Sequence, residues 1–222
     1  MARHDEISCD DLATMTGRPD APSILDVRTE EDAGADPVTL PGAMRVRHDD
    51  AGGCLARASA RGTVVVCHRG RKLSHGVAAR LRDEGIPARV LAGGMVAWRA
   101  QGRPVTWHAA AHAVWVAGAE RPDVACLWWA IRRYARPDAR LLIVPAAEVA
   151  DVAGRFAAHP LPPDMAALTG ALGLDLPGPG AVWRDWQALD LGAALARLWP
   201  VPEARLAPAA TVCDVLLARA AA

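Results

Sequence analysis

Cys67 stands at the end of an apolar, β-branched run, Thr63-Val64-Val65-Val66, and is followed at once by His68-Arg69-Gly70-Arg71-Lys72. A cysteine used for packing gains nothing from that company, whereas a thiolate does. A strand that delivers cysteine into a tight loop opening a helix sets the sulfur over unsatisfied N–H groups and the positive dipole end, and both favour an anion. Basic neighbours act in the same direction. Gly70 lets the loop curl without a Cβ clash, so successive amides are expected to converge on the sulfur. Arg69, Arg71 and Lys72 supply donors for an oxyanion. The chemistry implied is a nucleophile beside an anion site. The competing reading is a buried cysteine closing a strand before a solvated basic turn. The joint occurrence of strand, cysteine, loop glycine, cations and helix favours the nucleophile.

The elements needed to position this loop are legible around it. Ser23-Ile24-Leu25-Asp26-Val27-Arg28 reads as a short strand, and Thr63–Val66 as one buried on both faces. Leu73, Val77 and Leu81 recur at helical spacing, with Gly85 and Pro87 ending the helix in the usual order. Ala88–Leu91 is a further strand, Gly93-Gly94 a turn, and Met95–Gln101 a short helix closed by Gly102 and Pro104. Alternating strands and helices imply a parallel α/β sheet. Asp26 and Arg28 lie at the carboxyl end of their strand, where sites form in such sheets; the plainer alternative is an ion pair that fixes the next loop. His68 is placed beside the sulfur as a contact for an anionic substrate, against the alternative of a merely exposed loop histidine. His75, in the first helical turn, has the same two readings.

Beyond Pro104 the composition changes. Seven of the eight tryptophans lie past residue 100, and prolines cluster at residues 160–163 and 177–179, read as loops. A seam after Thr106 gives two domains, 1–106 and 107–222, the second expected to be a smaller, mainly helical α/β domain. Val114-Trp115-Val116 reads as its first strand. Val124, Leu127, Trp128, Ile131 and Ala135 make one helix face, and Arg132, Arg133 and Arg136 suit the end of that helix. Leu141–Val144 is a buried strand, and Pro145–Glu148 the entry to another helix. Cys126 falls off the main apolar face, near Arg133. It reads as a packed side chain or, alternatively, as a thiol receiving sulfur from Cys67. Trp128, Trp129, Trp183 and Trp186 have spacings suited to core packing.

The bulk numbers exclude several classes. With 25 basic and 25 acidic residues the formal net charge is zero, so charge gives no sign of nucleic-acid or membrane affinity. A hydrophobic content of 52% with 23% charged residues is globular composition. Lys72 is the one lysine among the basic residues, and the accompanying alanine points to genomic composition. The stretch "MARHDEISCDDLA" carries charge where a secretion signal has an apolar core, and no run is long enough to span a membrane. The five cysteines, 9, 54, 67, 126 and 213, are widely spaced, without metal-ligand or disulfide patterning. A reduced, cytoplasmic protein without metal or cofactor is expected. His108 and His112, at i, i+4, offer at most a weak two-ligand site.

Residues 5–105 resemble the rhodanese, or sulfurtransferase, family. The likeness rests on "LDVR" (25–28), "LPGAMRV" (40–46), "VVVCHRGRKLSHGVAARLRDEG" (64–85) and "VLAGGMVAWRAQGRPV" (90–105), in that order. The resemblance implies a parallel sheet flanked by helices. It also implies that loop Cys67–Lys72 carries sulfane sulfur as a persulfide on Cys67, taken from thiosulfate or a similar anionic donor and passed to cyanide, a small thiol or a protein cysteine. Within the family the Asp26–Arg28 pair is mostly structural. Two positions depart from the pattern: Lys72 stands where arginine is frequent, and Thr39 where histidine often precedes the Pro-Gly-Ala turn. A phosphatase built on a similar loop needs an arginine after five or more intervening residues. Here Lys72 and Leu73 occupy the candidate positions, so phosphatase is the weaker reading.

From Val114 to Arg219 the chain resembles the C-terminal domain of chromate-resistance proteins, chiefly through "ACLWWAIRRYARPDARLLIVPAAEV" (125–149) and "GAALARLWPVPEARLAPAATVCDVLLA" (192–218). That family's stretch of His, Gly and Cys followed by Phe-Glu is missing between Phe156 and Gly192, which implies a degenerate domain. The rival function, from a different class, is a non-catalytic module in which the loop senses an oxyanion or oxidant.

Overall fold

The alternating apolar segments of the first hundred residues fold into one parallel sheet with helices on both faces. The computed structural model describes residues 5–107 and 113–220, and the chain divides into two units, 1–109 and 110–222. Unit one runs β1 (Glu6–Ile7), α1 (Cys9–Met15), β2 (Ser23–Asp26), α2 (Glu30–Ala35), β3 (Val38–Thr39), β4 (Ala43–Arg45), α3 (Ala51–Arg57), β5 (Thr63–Val66), α4 (Lys72–Asp83), β6 (Ala88–Leu91), α5 (Gly94–Ala100) and β7 (Thr106–Trp107). The main sheet has the order β1-β6-β5-β2-β4, with every pair parallel. β5 is central, and Ser23–Asp26 pairs in register with Thr63–Val66.

Period-2 alternation divides the sheet's side chains between two cores. Ile24, Val64, Val66 and Leu91 pack with Leu12, Met95 and Trp98, under α1 and α5. Leu25, Val27, Val65 and Val90 pack with Cys54, Val77, Ala78 and Leu81, under α3 and α4. Cys67 continues the alternation of β5 onto this second face, so the strand itself aims the thiol at α4. β3 pairs antiparallel with β7, Val38 opposite Trp107 and Thr39 opposite Thr106. The expected seam after Thr106 therefore falls inside a strand, and pairing carries the first unit through Trp107. Trp98 is fully buried and donates from Nε1 to the Pro104 carbonyl at 2.7 Å, which pins the corner leading into β7.

Unit two runs β8 (Val114–Gly118), α6 (Val124–Ala130), a π-helical turn (Ile131–Ala135), β9 (Arg140–Val144), α7 (Val149–Phe156), β10 (His159–Pro160), α8 (Met165–Leu172), α9 (Pro177–Ala188), α10 (Leu191–Leu198) and α11 (Leu206–Ala220). Its sheet, β10-β8-β9, is parallel. The proline clusters read as loops are partly something else. Pro160 lies in edge strand β10, where a missing N–H is tolerated, and Pro177 opens α9 at a first-turn position, where the N–H is unpaired in any case. The reading of Cys126 also changes. Every residue of α6 is buried, so the helix has no open face at all. Cys126 and Cys213 of α11 are both fully buried, and a hydrogen bond between them together with burial pushes the Cys126 thiol well above its usual range. Trp128, Trp129 and Trp186 are core residues. Trp129 and Arg133 both donate to Asp214, at 2.8 Å and 2.5 Å. Among the described residues no helix is long and apolar enough to cross a membrane.

Candidate active site

The first three helix N-termini of unit one are capped by side-chain oxygens, and those of α4 and α5 are not. Ser8 accepts from Asp11 N, Thr29 from Asp32 N, and Asp50 from Gly53 N, at the starts of α1, α2 and α3. α4 has no such cap. Its N-cap residue is Arg71, and the Arg71 N–H donates to Cys67 Sγ at 3.3 Å. The sulfur thus accepts from the N-cap residue's own amide, one position before the helix, and not from the third helical amide as the capping oxygens of α1, α2 and α3 do. Cys67 is 4% exposed, so this contact is shielded from water.

The sulfur has a second neighbour that sequence reasoning missed. Ser74 Oγ lies 3.1 Å from Cys67 Sγ and donates to the Arg71 carbonyl at 3.0 Å. Ser74 is fully buried in the first turn of α4. The available signal was a small hydroxyl placed in that turn, on the side facing back to the loop. The expected convergence of several amides is narrower than anticipated: Arg71 supplies the amide hydrogen bond, and Ser74 the remaining polar contact.

The loop is held from behind by α5. Met95 N and Val96 N donate to the Cys67 and His68 carbonyls, each at 3.0 Å. That approach demands glycine on both sides. Gly70 has φ +60°, and a Cβ there would meet Leu91 O at 2.5 Å and Gly93 N at 2.8 Å. Gly94 has φ +61°, and a Cβ there would overlap Cys67 O and Gly70 N. The Gly93-Gly94 pair is thus more than a turn, because it lets the next helix cap the carbonyls of the cysteine loop. Gly94→Ala is expected to displace the loop and lower any Cys67-dependent turnover by about 10²-fold, the scale of an ångström-sized misplacement. Steady-state assay beside a thermal melt checks this, since the loss should exceed what partial unfolding explains.

The remaining predicted site residues separate into two groups. Arg69, Arg71 and Lys72 are exposed around the loop, where they can meet an incoming anion. His68 is half-buried, with its Nδ1 enclosed and without a hydrogen-bond partner. Asp26 and Arg28 do not join the sulfur. Both are 1% exposed and form a forked pair, Arg28 Nε and Nη2 reaching Asp26 at 3.0 Å and 2.8 Å. Arg28 also donates to the Asp36 and Val38 carbonyls at 3.0 Å and 2.7 Å. The Arg28 backbone N–H at 3.1 Å and Thr39 Oγ1 at 3.0 Å are further donors to Asp26. The pair therefore fixes the α2–β3 connection, and threonine at position 39 serves it. His75 faces Asp5 and Glu6 of the β1 edge, each at 3.6 Å, rather than the sulfur.

Among the other cysteines, burial pushes the Cys9 and Cys54 thiols up from their ordinary value. Among the described residues no group of three or more His, Cys, Asp or Glu is arranged to hold a metal ion. The i, i+4 pair His108 and His112 lies outside the described residues.

Comparison with known proteins meets this geometry on the same residues. The family model of the rhodanese-like domain matches residues 8–101. No curated protein matches the chain. Similar solved structures include a rhodanese-like domain protein from Staphylococcus aureus, 28% identical, covering 42% of this chain and 90% of that one with a TM-score of 0.38. A protein of unknown function from Rhodopseudomonas palustris, described as a possible tyrosine phosphatase, is 23% identical over 46% of this chain and 83% of that one, TM-score 0.38. A thiosulfate sulfurtransferase from Pseudomonas aeruginosa is 14% identical over 73% of this chain and 44% of that one, TM-score 0.37. The Cys67 loop, its glycine support and the buried Asp26–Arg28 pair all fall within residues 8–101, the span of this chain that matches the rhodanese-like domain model.

Proposed function

We propose that the chain is a sulfurtransferase that carries sulfane sulfur as a persulfide on Cys67. The observation that carries the reading is the sulfur of Cys67 held at the uncapped start of α4 by the Arg71 amide, inside the matched domain. The Cys67 thiolate attacks the sulfane sulfur of thiosulfate or a similar donor. A bond forms between Sγ and that sulfur, the sulfur–sulfur bond of thiosulfate breaks, and sulfite leaves with the electron pair. The resulting Cys67 persulfide is then attacked at its outer sulfur by cyanide or by a thiolate on a small molecule or protein. Cyanide leaves as thiocyanate, a thiol as its persulfide, and the Cys67 thiolate is regenerated. The exposed cations Arg69, Arg71 and Lys72 draw the dianionic donor to the loop.

The test is turnover from thiosulfate to cyanide by the full chain. Saturable thiocyanate formation supports the reading, and a rate no greater than buffer contradicts it. Lys72 gives a finer check. It is exposed, so its attraction for the donor is worth about 0.2–1 kcal/mol. Lys72→Ala is expected to raise KM for thiosulfate by at most about fivefold, and Lys72→Arg to keep or lower it through a two-pronged contact. An unchanged KM in Lys72→Ala would move the anion contact to Arg69 or Arg71.

For residues 107–222 we propose a degenerate domain of the chromate-resistance type, on the strength of the sequence likeness at 125–149 and 192–218. Chromate survival of cells expressing the full chain, compared with cells expressing residues 1–109, measures what the second unit adds.

A further inference from the structure

We infer that the Ser74 hydroxyl is a two-position donor that stabilises the ionised Cys67 sulfur and releases it once that sulfur is neutralised by bonding to the donated sulfur atom. The inference rests on the sulfurtransferase reading for its purpose, though its geometry stands without it. Ser74 Oγ has two acceptors at nearly equal reach: Cys67 Sγ at 3.1 Å and the Arg71 carbonyl at 3.0 Å. A hydroxyl has one proton to donate, so it serves one of them at a time.

The proton inventory decides which. In the neutral thiol, S–H is a donor, and Ser74 accepts from it while donating to Arg71 O. In the thiolate the sulfur is an acceptor alone. The hydroxyl then turns to it, and the sulfur receives Ser74 O–H and Arg71 N–H together. Turning leaves no orphan behind, because the Arg71 carbonyl already accepts from His75 N at 3.1 Å as the first hydrogen bond of α4. Ser74 is fully buried, so water does not compete for the hydroxyl. When Sγ bonds to the sulfane sulfur it becomes neutral divalent sulfur, the displaced electron pair leaves on sulfite, the outer sulfur keeps its negative charge, and the hydroxyl can return to Arg71 O. Reversal accompanies transfer to the acceptor. Ser74 is in this sense a positioning residue, acting through Sγ and not on the substrate.

The charged and titratable groups on the elements packed around Cys67 are numerous. Its own loop and α4 carry His68, Arg69, Arg71, Lys72, His75, Arg80, Arg82 and Asp83. The neighbouring strands carry Asp26, Arg45 and Arg89, with Arg28 just past β2, α5 carries Arg99, and α3 with its cap carries Asp50 and Arg57. None of these changes when Ser74 is replaced, so a shift in thiolate formation on replacement belongs to the hydroxyl.

The experiment is the pH dependence of Cys67 alkylation by iodoacetamide in the full chain, read by peptide mass spectrometry. Loss of one hydrogen bond to a charged sulfur is expected to move the midpoint up by about one to two pH units in Ser74→Ala. Ser74→Thr, which keeps the hydroxyl, should restore the midpoint. A purely structural role would lower the melting temperature of Ser74→Ala and leave its midpoint in place, and that result, or a threonine variant matching alanine, would overturn the assignment. Sulfur loading from thiosulfate is scored separately. A chain that never loads sulfur yet shows the shift refutes the sulfurtransferase reading and upholds the role of Ser74.

Discussion

Cys67→Ser is expected to abolish thiosulfate-dependent sulfur transfer while leaving the fold in place. Serine fits the 4% exposed site and can accept the Arg71 N–H that the sulfur accepts now. Stability should therefore change by roughly 1 kcal/mol or less, the scale of one exchanged hydrogen bond. Activity should vanish, because a hydroxyl does not ionise in this setting and cannot hold a sulfane sulfur. The other four cysteines offer no substitute: all are buried, and burial pushes the Cys9 and Cys54 thiols away from ionisation. Thiocyanate formation by the variant, measured beside its thermal melt, checks both halves. Turnover at the unaltered rate would mean that the sulfur is carried elsewhere.

The second large effect belongs to a residue that never meets the substrate. Arg28→Met is expected to destabilise the first unit by about 3–5 kcal/mol, since it strands a buried carboxylate. Asp26 would keep only Thr39 and one backbone N–H as donors. The Asp36 and Val38 carbonyls would lose their donor as well, loosening the connection into β3 and hence the β3–β7 pair. The double variant Asp26→Leu/Arg28→Met should recover much of the loss, because it removes the stranded charge together with its partner. Chemical denaturation of residues 1–109 measures both. Equal stability of the single variant and the unaltered fragment would contradict the assignment of this pair as a structural lock.

What the sequence disclosed and what it hid follow one physical division. The Cys67 loop was legible because all its signals are local: a β-branched strand, a glycine in the loop, and a helix beginning within a few residues. The Asp26–Arg28 pair was legible as a pair for the same reason. Its partners were not, because Thr39, Asp36 and Val38 reach it across a connection whose strand β3 has only two residues, too few for alternation to show. β1, β4 and β7 escaped notice likewise. Ser74 was hidden by backbone geometry. Its contact with Sγ spans the loop, whose last residue, Arg71, has the non-helical backbone φ −118° and ψ −141°, a conformation that side-chain periodicity does not reveal. Gly94 was read as part of a turn, but its need to be glycine comes from Cys67 O and Gly70 N on the neighbouring connection. Cys126 was placed off the apolar face of α6 by periodicity. Periodicity loses its meaning on a helix that is covered on every side, here in part by α11 through Cys213.

The central claim is that Cys67 carries the transferred sulfur, and the most direct measurement is peptide-resolved mass spectrometry of the full chain after exposure to thiosulfate. The expected result is one added sulfur atom on the peptide containing Cys67, removed on addition of cyanide with release of thiocyanate. No added sulfur, or sulfur confined to Cys9, Cys54, Cys126 or Cys213, would contradict it.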